Sequence, residues 1–239
     1  MRIYKHIRSN WMTQKWGAND SYILKGIRPF VFVTKDTPNA ISLYEDIGLK
    51  GHPGTDRASK YKEPVYFPVA IPGIEWEGDT QTDSSGSIHV IIRSKQPVPL
   101  AKLPEHVPGS LKMIQKQYKD LGGKLYLMFR YDHLYAGIPK DRSKVVTGQL
   151  IGYADSTGAS SGNHVHDNMK VSDSQSWFYI DGDNGYAGSI DTAPYYTNTF
   201  VLDVLKAQST DIKALQLTVI DLASQVVALL QQIIKLKSK

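Results

Sequence analysis

Two histidines, His164 and His166, stand one residue apart in the sequence SSGNHVHDN. In a β-strand successive side chains point to opposite faces, so residues at positions i and i+2 project from the same face. Two neighbouring imidazoles can bind a metal ion or transfer a proton between them. The alternative is a polar strand edge with two surface histidines, and the tripeptide alone favours it, because His-x-His is short and common.

Two further stretches supply side chains of the same kind. The sequence GLKGHPGTD places His52 and Asp56 four residues apart, with glycine and proline between them. A regular helix is not expected there, so these two side chains can converge only through a specific turn. The sequence FRYDHLYAG places His133 at the end of a predicted strand. Each stretch alone is more typical of a polar turn or a surface histidine, but together they provide four histidines and one aspartate.

The composition limits the class of protein and the kind of site. The 239 residues suffice for one large domain, or one domain with an appendage, and 41% of them are hydrophobic, which is enough for a buried core. The formal net charge of +5 suits an anionic surface, but no dense run of lysine and arginine indicates nucleic-acid binding. The absence of cysteine excludes disulfides, thiolate nucleophiles and cysteine-ligated zinc, so a metal site must use His, Asp or Glu. The first residues, MRIYKHIRSNWMTQKWG, lack the apolar segment of a signal peptide, and we expect none.

Short strands separated by glycine and proline turns dominate the first 198 residues. The sequence predicts one internal helix, from Ser110 to the Gly122-Gly123 pair, because Ser110 can cap its start and the glycines can end it. Strands are predicted for IRPFVFVTKD (27–36), EPVYFPVAIPG (63–73), GSIHVIIRS (86–94), KLYLMFRYDHL (124–134) and QLIGYADSTG (149–158). We therefore predict a mainly β fold built on an antiparallel sheet.

The chain after Asn198 has a different pattern, without glycine or proline and with a helical period. β-Branched residues at heptad position a alternate with leucine at position d, namely Ile212, Val219, Val226, Ile233 and Leu215, Leu222, Leu229, Leu236. Four such heptads predict a coiled coil. In parallel coiled coils, β-branched residues at a with leucine at d favour a dimer of two helices. A wider apolar stripe, formed by Ile220, Val227, Leu230 and Ile234, suits three or more helices instead. The longest uncharged run, Leu222 to Ile234, is shorter than the roughly 20 residues that a bilayer requires, which leaves a surface anchor as a weaker alternative to oligomerisation.

Three motifs, in this order along the chain, resemble those of the lysostaphin-type (LytM-type) zinc endopeptidases, which cut bacterial peptidoglycan. They are HPGTD (52–56), YDHL (131–134) and GQLIGYADSTGASSGNHVH (148–166), matching the family's HxGxD, Tyr-x-His-Leu-like and Gly-x-x-Ile-Gly…Ser-Gly-x-His-x-His patterns. The resemblance covers about Trp16 to Tyr196 and excludes the heptads. Its last part, DNGYAGSIDTAPYY (183–196), is similar to the end of related phage and metagenomic lysins.

The resemblance implies a role for each of the five polar residues. It implies that His52, Asp56 and His166 bind one catalytic Zn²⁺, an arrangement of three ligands that leaves an open fourth position for water. It implies that His133 and His164 are the catalytic pair, one accepting a proton and the other assisting the oxyanion or the leaving amine. Which histidine takes which role stays open. The implied fold is an antiparallel sheet with a groove.

The sequence departs from the family pattern in three places. Asp167 and Asn168 follow His-x-His, where the family usually has an aromatic residue and then an acidic or small one. Residues 95–129 form a longer connection than usual and are a candidate groove wall or lid, and Ile27 to Asn39 is a candidate insertion before HPGTD. We assign no site role to the other histidines, His6, His89 and His106. Neither a phosphate-binding P-loop nor a GxSxG nucleophile motif is present in the sequence.

These observations lead to one functional hypothesis and one alternative. The hypothesis is a zinc endopeptidase that hydrolyses stem or cross-bridge peptides of peptidoglycan, as a phage or prophage lysin that reaches the cell wall after release or within a virion. The alternative is a non-catalytic wall-binding or structural virion protein on the same fold. We expect a peptidase domain at 1–198, including a lead-in at 1–47, and an oligomerisation helix at 199–239. We expect a homo-oligomer through residues 200–239, no nucleic-acid partner and no transmembrane span.

Overall fold

Strands are more frequent than helices in the computed structural model, which describes residues 1–9, 11–100, 116, 118–172 and 186–237, without the side chains of 228, 229 and 231–237. The strands are β1 (Arg2–Lys5), β2 (Met12–Gln14), β3 (Tyr22–Leu24), β4 (Phe32–Val33), β5 (Ala40–Ser42), β6 (Thr55–Ala58), β7 (Pro64–Tyr66), β8 (Val69–Ala70), β9 (Trp76–Thr82), β10 (Ile88–Ser94), β11 (Val98–Pro99), β12 (Lys124–Gly137), β13 (Ser143–Val145), β14 (Leu150–Ala154), β15 (His164–Ser172), β16 (Ser189–Ile190) and β17 (Tyr196–Phe200). The helices are α1 (Leu43–Asp46), a 3-10 turn (Ala193–Tyr195) and α2 (Val201–Lys237).

The strands form three sheets within the unit Met1–Phe200. The largest has eleven strands in the main order β13-β9-β10-β12-β15-β6-β2, with β7, β11, β14 and β16 joined to its edges, and its pairs are antiparallel. A second sheet has the order β17-β1-β8, and a third, small one has the order β4-β3-β5. The predicted mainly β fold with an antiparallel sheet is confirmed.

The long strand β12 explains how the large sheet separates its core from its polar face. Leu125, Leu127, Phe129 and Tyr131 alternate along one face and are buried in the hydrophobic core. The other face presents charged side chains such as Arg130 and Asp132. The core contains an aromatic cluster. Phe67 packs edge-to-face on Trp76, with ring centroids 5.1 Å apart, and on Phe129, with centroids 6.2 Å apart.

The register of three neighbouring strands places the residues of the sequence motifs side by side. His166 of β15 lies directly opposite Asp56 of β6 on one side and Asp132 of β12 on the other. Residues opposed in this way have Cβ atoms about 4.5–5.5 Å apart and share one face of the sheet. The i, i+2 relation of His164 and His166 within β15 puts both on this face, as the sequence predicts.

His133 lies within β12 and not at a strand end, which differs from the sequence prediction. Its backbone has a φ of 62°, in the left-handed region, and the pairing of β12 with β14 shifts in register between Leu134 and Ala136. The strand therefore continues through an irregular position, and the break in alternation redirects the His133 side chain.

Most predicted strands are present, with shorter bounds where proline or turns intervene. Strands β10, β12 and β14 confirm the predictions for 86–94, 124–134 and 149–158. Only Phe32–Val33 of 27–36 is a strand, because Thr34 to Ala40 form successive hydrogen-bonded turns instead. Most of the predicted helix from Ser110 lies outside the described residues, although Tyr118–Asp120 are helical and turn at Gly122 and Gly123, both with positive φ.

The C-terminal helix α2 extends over 37 residues and is described separately from the β unit. It begins at Val201, close to the predicted boundary, and the two-domain division stays a prediction. Heptad side chains from Ile212 to Val226 are exposed along it. Among the described residues, no helix is long and apolar enough to span a membrane.

Candidate metal centre and active site

Two backbone hydrogen bonds hold His52 in place, independently of its side chain. Its N–H donates to the carbonyl of Ala18 at 2.7 Å, and its carbonyl accepts from the N–H of Gly17 at 2.8 Å. The ring Nδ1 lies 3.1 Å from the carbonyl oxygen of Lys15, to which only an N–H can donate. This contact fixes the tautomer, so Nε2 carries the lone pair that a metal requires.

Three potential ligand atoms converge where Asp56 of β6 is paired with His166 of β15, with His52 beside them. His52 Nε2 lies 2.8 Å from His166 Nδ1 and 3.2 Å from Asp56 Oδ1, and His166 Nδ1 lies 2.9 Å from the same carboxylate oxygen. His52 and His166 are buried, and the ion-pair partners of Asp56 within the described part of the chain are histidines, His52, His164 and His166. The structure therefore contains a His-Asp-His cluster that is able to bind a metal ion.

The electrostatics of this cluster favour a cation. Burial raises the pKa of Asp56, but hydrogen bonds from His166 and His52 outweigh it and hold the pKa below its usual range, so the carboxylate stays charged. Burial lowers the pKa of His52, which keeps that ring neutral. Burial also opposes the charged form of His166, but its bond to Asp56 and the carboxylate charges raise its pKa overall. A proton on His166 Nδ1 occupies the place where a metal ion would satisfy the same negative charge.

The dimensions of the cluster fit zinc. Tetrahedral zinc with bonds of about 2.0–2.1 Å to nitrogen and oxygen separates neighbouring ligand atoms by about 3.3–3.4 Å. The observed separations of 2.8 to 3.2 Å differ from this by a few tenths of an ångström to about half an ångström, which small ring rotations can supply. Two imidazoles and one carboxylate are also the ligand types that catalytic zinc sites use.

Asn168 completes the surroundings of His166 and is a residue whose role the sequence analysis missed. Its Nδ2 lies 3.3 Å from His166 Nε2, while its Oδ1 is buried without a hydrogen-bond partner. Exchanging the amide oxygen and nitrogen, which are alike in size, lets Oδ1 accept the Nε2–H of His166. That bond would leave Nδ1 of His166 as the ligand atom, just as the Lys15 carbonyl leaves Nε2 of His52. In the sequence, the spacing of two residues between His166 and Asn168 already indicated that both lie on the same face of the strand.

Gly54 permits the close approach of the two motifs. A Cβ atom at position 54 would lie 2.5 Å from the carbonyl oxygen of Asp167 and 2.6 Å from two ring atoms of His166. Both contacts are far shorter than any real Cβ makes, and neither neighbour is a flexible chain end. The glycine inside HPGTD is therefore required by the packing of His166 against this turn.

The second pair of histidines lies beside the cluster with equally defined tautomers. His133 Nδ1 donates to the carbonyl of Thr157 at 2.7 Å, and His164 Nδ1 donates to the carbonyl of Gly162 at 2.7 Å. The two ring centroids are 4.6 Å apart, and His164 Nε2 lies 3.6 Å from Asp56 Oδ2. Burial, together with the charges of His164 and His166, lowers the pKa of His133 to about 4, so its Nε2 is an unprotonated base near neutral pH. The structure thus brings all five sequence-predicted site residues together.

A second acidic cluster nearby is already neutralised by the protein. Asp83, His89 and Asp132 have ligand atoms close enough for a metal. However, Arg130 donates from Nε to both oxygens of Asp132 at 2.8 and 2.9 Å, and from Nη2 to Asp83 at 3.1 Å. The guanidinium supplies the positive charge at that place, so we interpret the cluster as one that orients Asp132 beside His166. The sequence analysis assigned no role to His89 and did not identify Arg130.

The His-Asp-His cluster lines one cavity and adjoins a second. A cavity of about 330 Å³ is bounded by apolar side chains, including Phe30, Phe32 and Ile47, and by a polar wall with Arg130 and Lys170. A second cavity of about 340 Å³ shares Asp56 and His164 with the first and is lined by polar groups that include Asp20 and Asn163. The two cavities therefore adjoin at Asp56 and His164. The candidate insertion at 27–39 supplies the two phenylalanines of its apolar wall.

Comparisons with known proteins give a limited result. Neither the protein-family models nor the curated proteins give a match. Among solved structures, the chain is similar to the catalytic domain of the antimicrobial peptidase lysostaphin from Staphylococcus simulans, with 19% identity, a TM-score of 0.35, and coverage of 61% of this chain and 79% of that one. It is also similar to a zinc containing peptidase from Vibrio cholerae, with 18% identity, a TM-score of 0.38, and coverage of 72% and 38%. The catalytic domain of the prophage-encoded M23 protein EnpA from Enterococcus faecalis gives 21% identity, a TM-score of 0.30, and coverage of 51% and 69%. At these TM-scores the likenesses assign neither a fold nor an activity to this chain.

We predict that Gly54→Ala will weaken zinc binding by at least about tenfold, because the new methyl group displaces His166 from the cluster. The matched control is Gly162→Ala, where a Cβ meets no atom within 4 Å, and it should bind zinc as the unmodified chain does. Zinc affinity measured by competition with a fluorescent chelator distinguishes the two. Equal affinities for both variants would contradict the packing argument.

We predict that Asn168→Leu will weaken zinc binding about 10–100-fold, since it removes the acceptor for His166 Nε2–H at nearly constant volume. Asn168→Asp keeps an acceptor and should retain most of the affinity. The same competition measurement applies. A loss of equal size in both variants would show that the amide supports the site by packing and not by hydrogen bonding.

Proposed function

We propose that this chain is a zinc-dependent endopeptidase of the lysostaphin type that hydrolyses peptide bonds in the stem or cross-bridge of bacterial peptidoglycan. The observation that carries the proposal is the convergence of His52 Nε2, Asp56 Oδ1 and His166 Nδ1 within 3.2 Å, beside two histidines whose free Nε2 atoms adjoin the same groove. The three ordered motifs identified in the sequence support it independently.

His52, Asp56 and His166 would hold the zinc ion. When bound, zinc supplies a Lewis acid that polarises a carbonyl group and lowers the pKa of a coordinated water toward about 7. The carboxylate of Asp56 and two neutral imidazoles leave the ion a net positive charge, which that chemistry requires. The Lys15 carbonyl and Asn168 hold the two rings in the orientation in which each presents its lone pair.

His133 and His164 would move the protons of the reaction. Each donates Nδ1–H to a backbone carbonyl, which leaves Nε2 free to accept a proton from the attacking water. That ring can then return the proton to the leaving amine. The second ring can donate to the carbonyl oxygen, as negative charge develops there, in the form that carries a proton on Nε2 as well. Their rings are 4.6 Å apart, close enough for both to act on one peptide bond.

The shape of the groove suits a bond inside a polymer. Two cavities that share Asp56 and His164 adjoin the His-Asp-His cluster, which leaves room for more than one substrate residue. The lining of the larger cavity combines apolar rings, Phe30 and Phe32, with polar groups such as Ser85 and Asn168, which suits a peptide that carries small methyl side chains and backbone amides. The finer proposal, a phage or prophage lysin that reaches the wall after release or within a virion, is supported by the sequence resemblance of DNGYAGSIDTAPYY.

We propose further that the chain is a homo-oligomer joined through α2. The a and d side chains from Ile212 to Val226 form an apolar stripe that is exposed in the isolated chain, with Leu215 at 70% exposure. The occupant best suited to this stripe is a second copy of the same helix, because β-branched residues at a and leucines at d pack into each other's holes. Several bound copies would raise avidity for an insoluble polymer.

We predict that the full chain will release new amino termini from purified peptidoglycan, and that a zinc chelator will abolish the release. His133→Gln and His164→Gln should each retain one bound zinc and lose about 10²–10⁴-fold in rate, because proton transfer is lost and the metal is not. Asp56→Asn should lose both zinc and activity. Mass spectrometry of the released peptides, across walls of different cross-bridge chemistry, identifies the bond. A folded, zinc-loaded chain that releases nothing from any wall would favour the non-catalytic wall-binding or structural role.

We predict that Leu215→Lys combined with Leu222→Lys will dissociate the oligomer, because two charges enter the apolar seam. The matched control is Leu217→Lys with Ser224→Lys, which adds the same charge on the opposite side of the helix, where Leu217 is 69% exposed. Sedimentation of the full chain gives the mass of each variant. A monomeric unmodified chain would contradict the proposal.

A further inference from the structure

Three aromatic side chains form an exposed group on the β unit, away from the groove. Trp11 is 73% exposed, Tyr61 is 55% exposed and Tyr135 is 44% exposed. Tyr61 and Tyr135 meet edge-to-face, with ring centroids 5.7 Å apart, and Trp11 and Tyr61 line the same open cleft. Scattered apolar residues are ordinary on a protein surface, but a pair of exposed rings beside a cleft that an exposed tryptophan also lines favours an interaction site.

The aromatic cleft, defined by Trp11, Tyr61 and their neighbours, is open and has a volume of about 670 Å³. Glu63, one of its lining residues, accepts hydrogen bonds from the backbone N–H groups of Arg8 at 3.2 Å and Lys60 at 3.0 Å, and so ties two segments of the cleft together. Lys62 Nζ lies 3.9 Å from the centroid of Tyr135 and 5.1 Å from that of Tyr61, and this cation–π contact holds both rings.

The chemistry of the aromatic cleft suits an uncharged sugar. One face of a pyranose ring presents C–H groups that pack on an aromatic ring, while its hydroxyl and acetamido groups need hydrogen-bond donors and acceptors at the edge. An anionic polymer would instead require freely presented positive charge. Here Arg8 stacks on the Phe200 ring at 4.6 Å and Lys62 on Tyr135, so these two cations are engaged with rings. The negative charge of Glu63 offsets that of the exposed Lys60. The exposed Trp11 ring is therefore the dominant feature.

The aromatic cleft is connected to the active site by one short strand. Ala58 of β6 lines the cleft and is paired with His164, and it follows Asp56 by two residues, or about 7 Å of strand. The N–H of Ser59 donates to the carbonyl of Asn163, and that of Ala58 donates to the carbonyl of Trp11. A ligand in the cleft is thus held within a few residues of the groove that would receive its attached peptide.

We propose that the aromatic cleft binds the sugar rings of the peptidoglycan glycan strand, and so presents the attached peptide to the metal centre. The choice of an N-acetylated amino-sugar polymer rests on the proposed function, whereas the cleft itself argues for a sugar ring that stacks on an aromatic side chain. Trp11 provides the stacking surface, Tyr61 provides the second ring, and Lys60 and Glu63 are the polar groups at the rim.

The test is binding of the full chain to glycan strands from which an amidase has removed all peptides. Binding to these strands is measured without any hydrolysis, so its outcome is separate from that of the peptidase proposal. We expect Trp11→Ala and Tyr61→Ala to weaken binding at least tenfold, while Tyr61→Phe, which keeps the ring, retains it. Val146→Ala, an exposed apolar residue outside the cleft, is the matched control and should bind normally.

Three outcomes would overturn the proposal. The unmodified chain would fail to bind peptide-free strands, or Trp11→Ala would bind them as tightly as Val146→Ala. In the third, the chain would bind only phosphate-containing wall polymers and release them at high salt, which would identify an electrostatic surface in place of a sugar site.

Discussion

The structure of the candidate site depends on one constraint, the crowding of three ligand atoms into a buried space about 3 Å across. His52 Nε2, Asp56 Oδ1 and His166 Nδ1 would repel one another as lone pairs unless a proton or a cation lay between them. The surroundings are arranged to maintain this crowding. Backbone carbonyls fix the tautomers of His52, His133 and His164, Gly54 removes the Cβ that would separate the strands, and the β6-β15-β12 register sets the spacing.

Because side chains alternate along β15, the residue next to His166 lies on the opposite face of the strand, away from the groove. Asp167 alternates into the core between Val165 and Met169, where burial raises its pKa to about 6. The hydroxyl of Tyr196 donates to it, and the guanidinium of Arg57 lies 4.8 Å above the Tyr196 ring. The residue that replaces an aromatic after His-x-His is therefore accommodated by polar partners. Its hydrogen bond ties the strand that carries His166 to the segment 183–196 that the sequence analysis singled out.

The cavity on the polar face of the sheet is lined by elements that are far apart in the chain. The small sheet β4-β3-β5 and α1 contribute the apolar wall, whereas β12 and β15 contribute the polar one. The aromatic cleft lies beyond the other end of β6. A short strand thus connects the carboxylate of the His-Asp-His cluster to the cleft that the exposed Trp11 lines.

The sequence by itself determined the features that depend on local order. The period of two in KLYLMFRYDHL and HVHDNMK defined strands with two distinct faces, the heptads after Asn198 defined α2, and the residue types of the three motifs defined a zinc-like ligand set. The tertiary structure alone decided which ring nitrogen each histidine presents, that Asn168 contacts His166, and that Arg130 fills the second acidic cluster. It also decided that His133 sits at an irregular position inside β12. These outcomes arise from hydrogen bonds between residues such as Asp56 and His166, which are 110 positions apart. Side-chain chemistry and periodicity are local properties of the chain, but tautomers and ligand separations are set by backbone groups that only the folded sheet brings together.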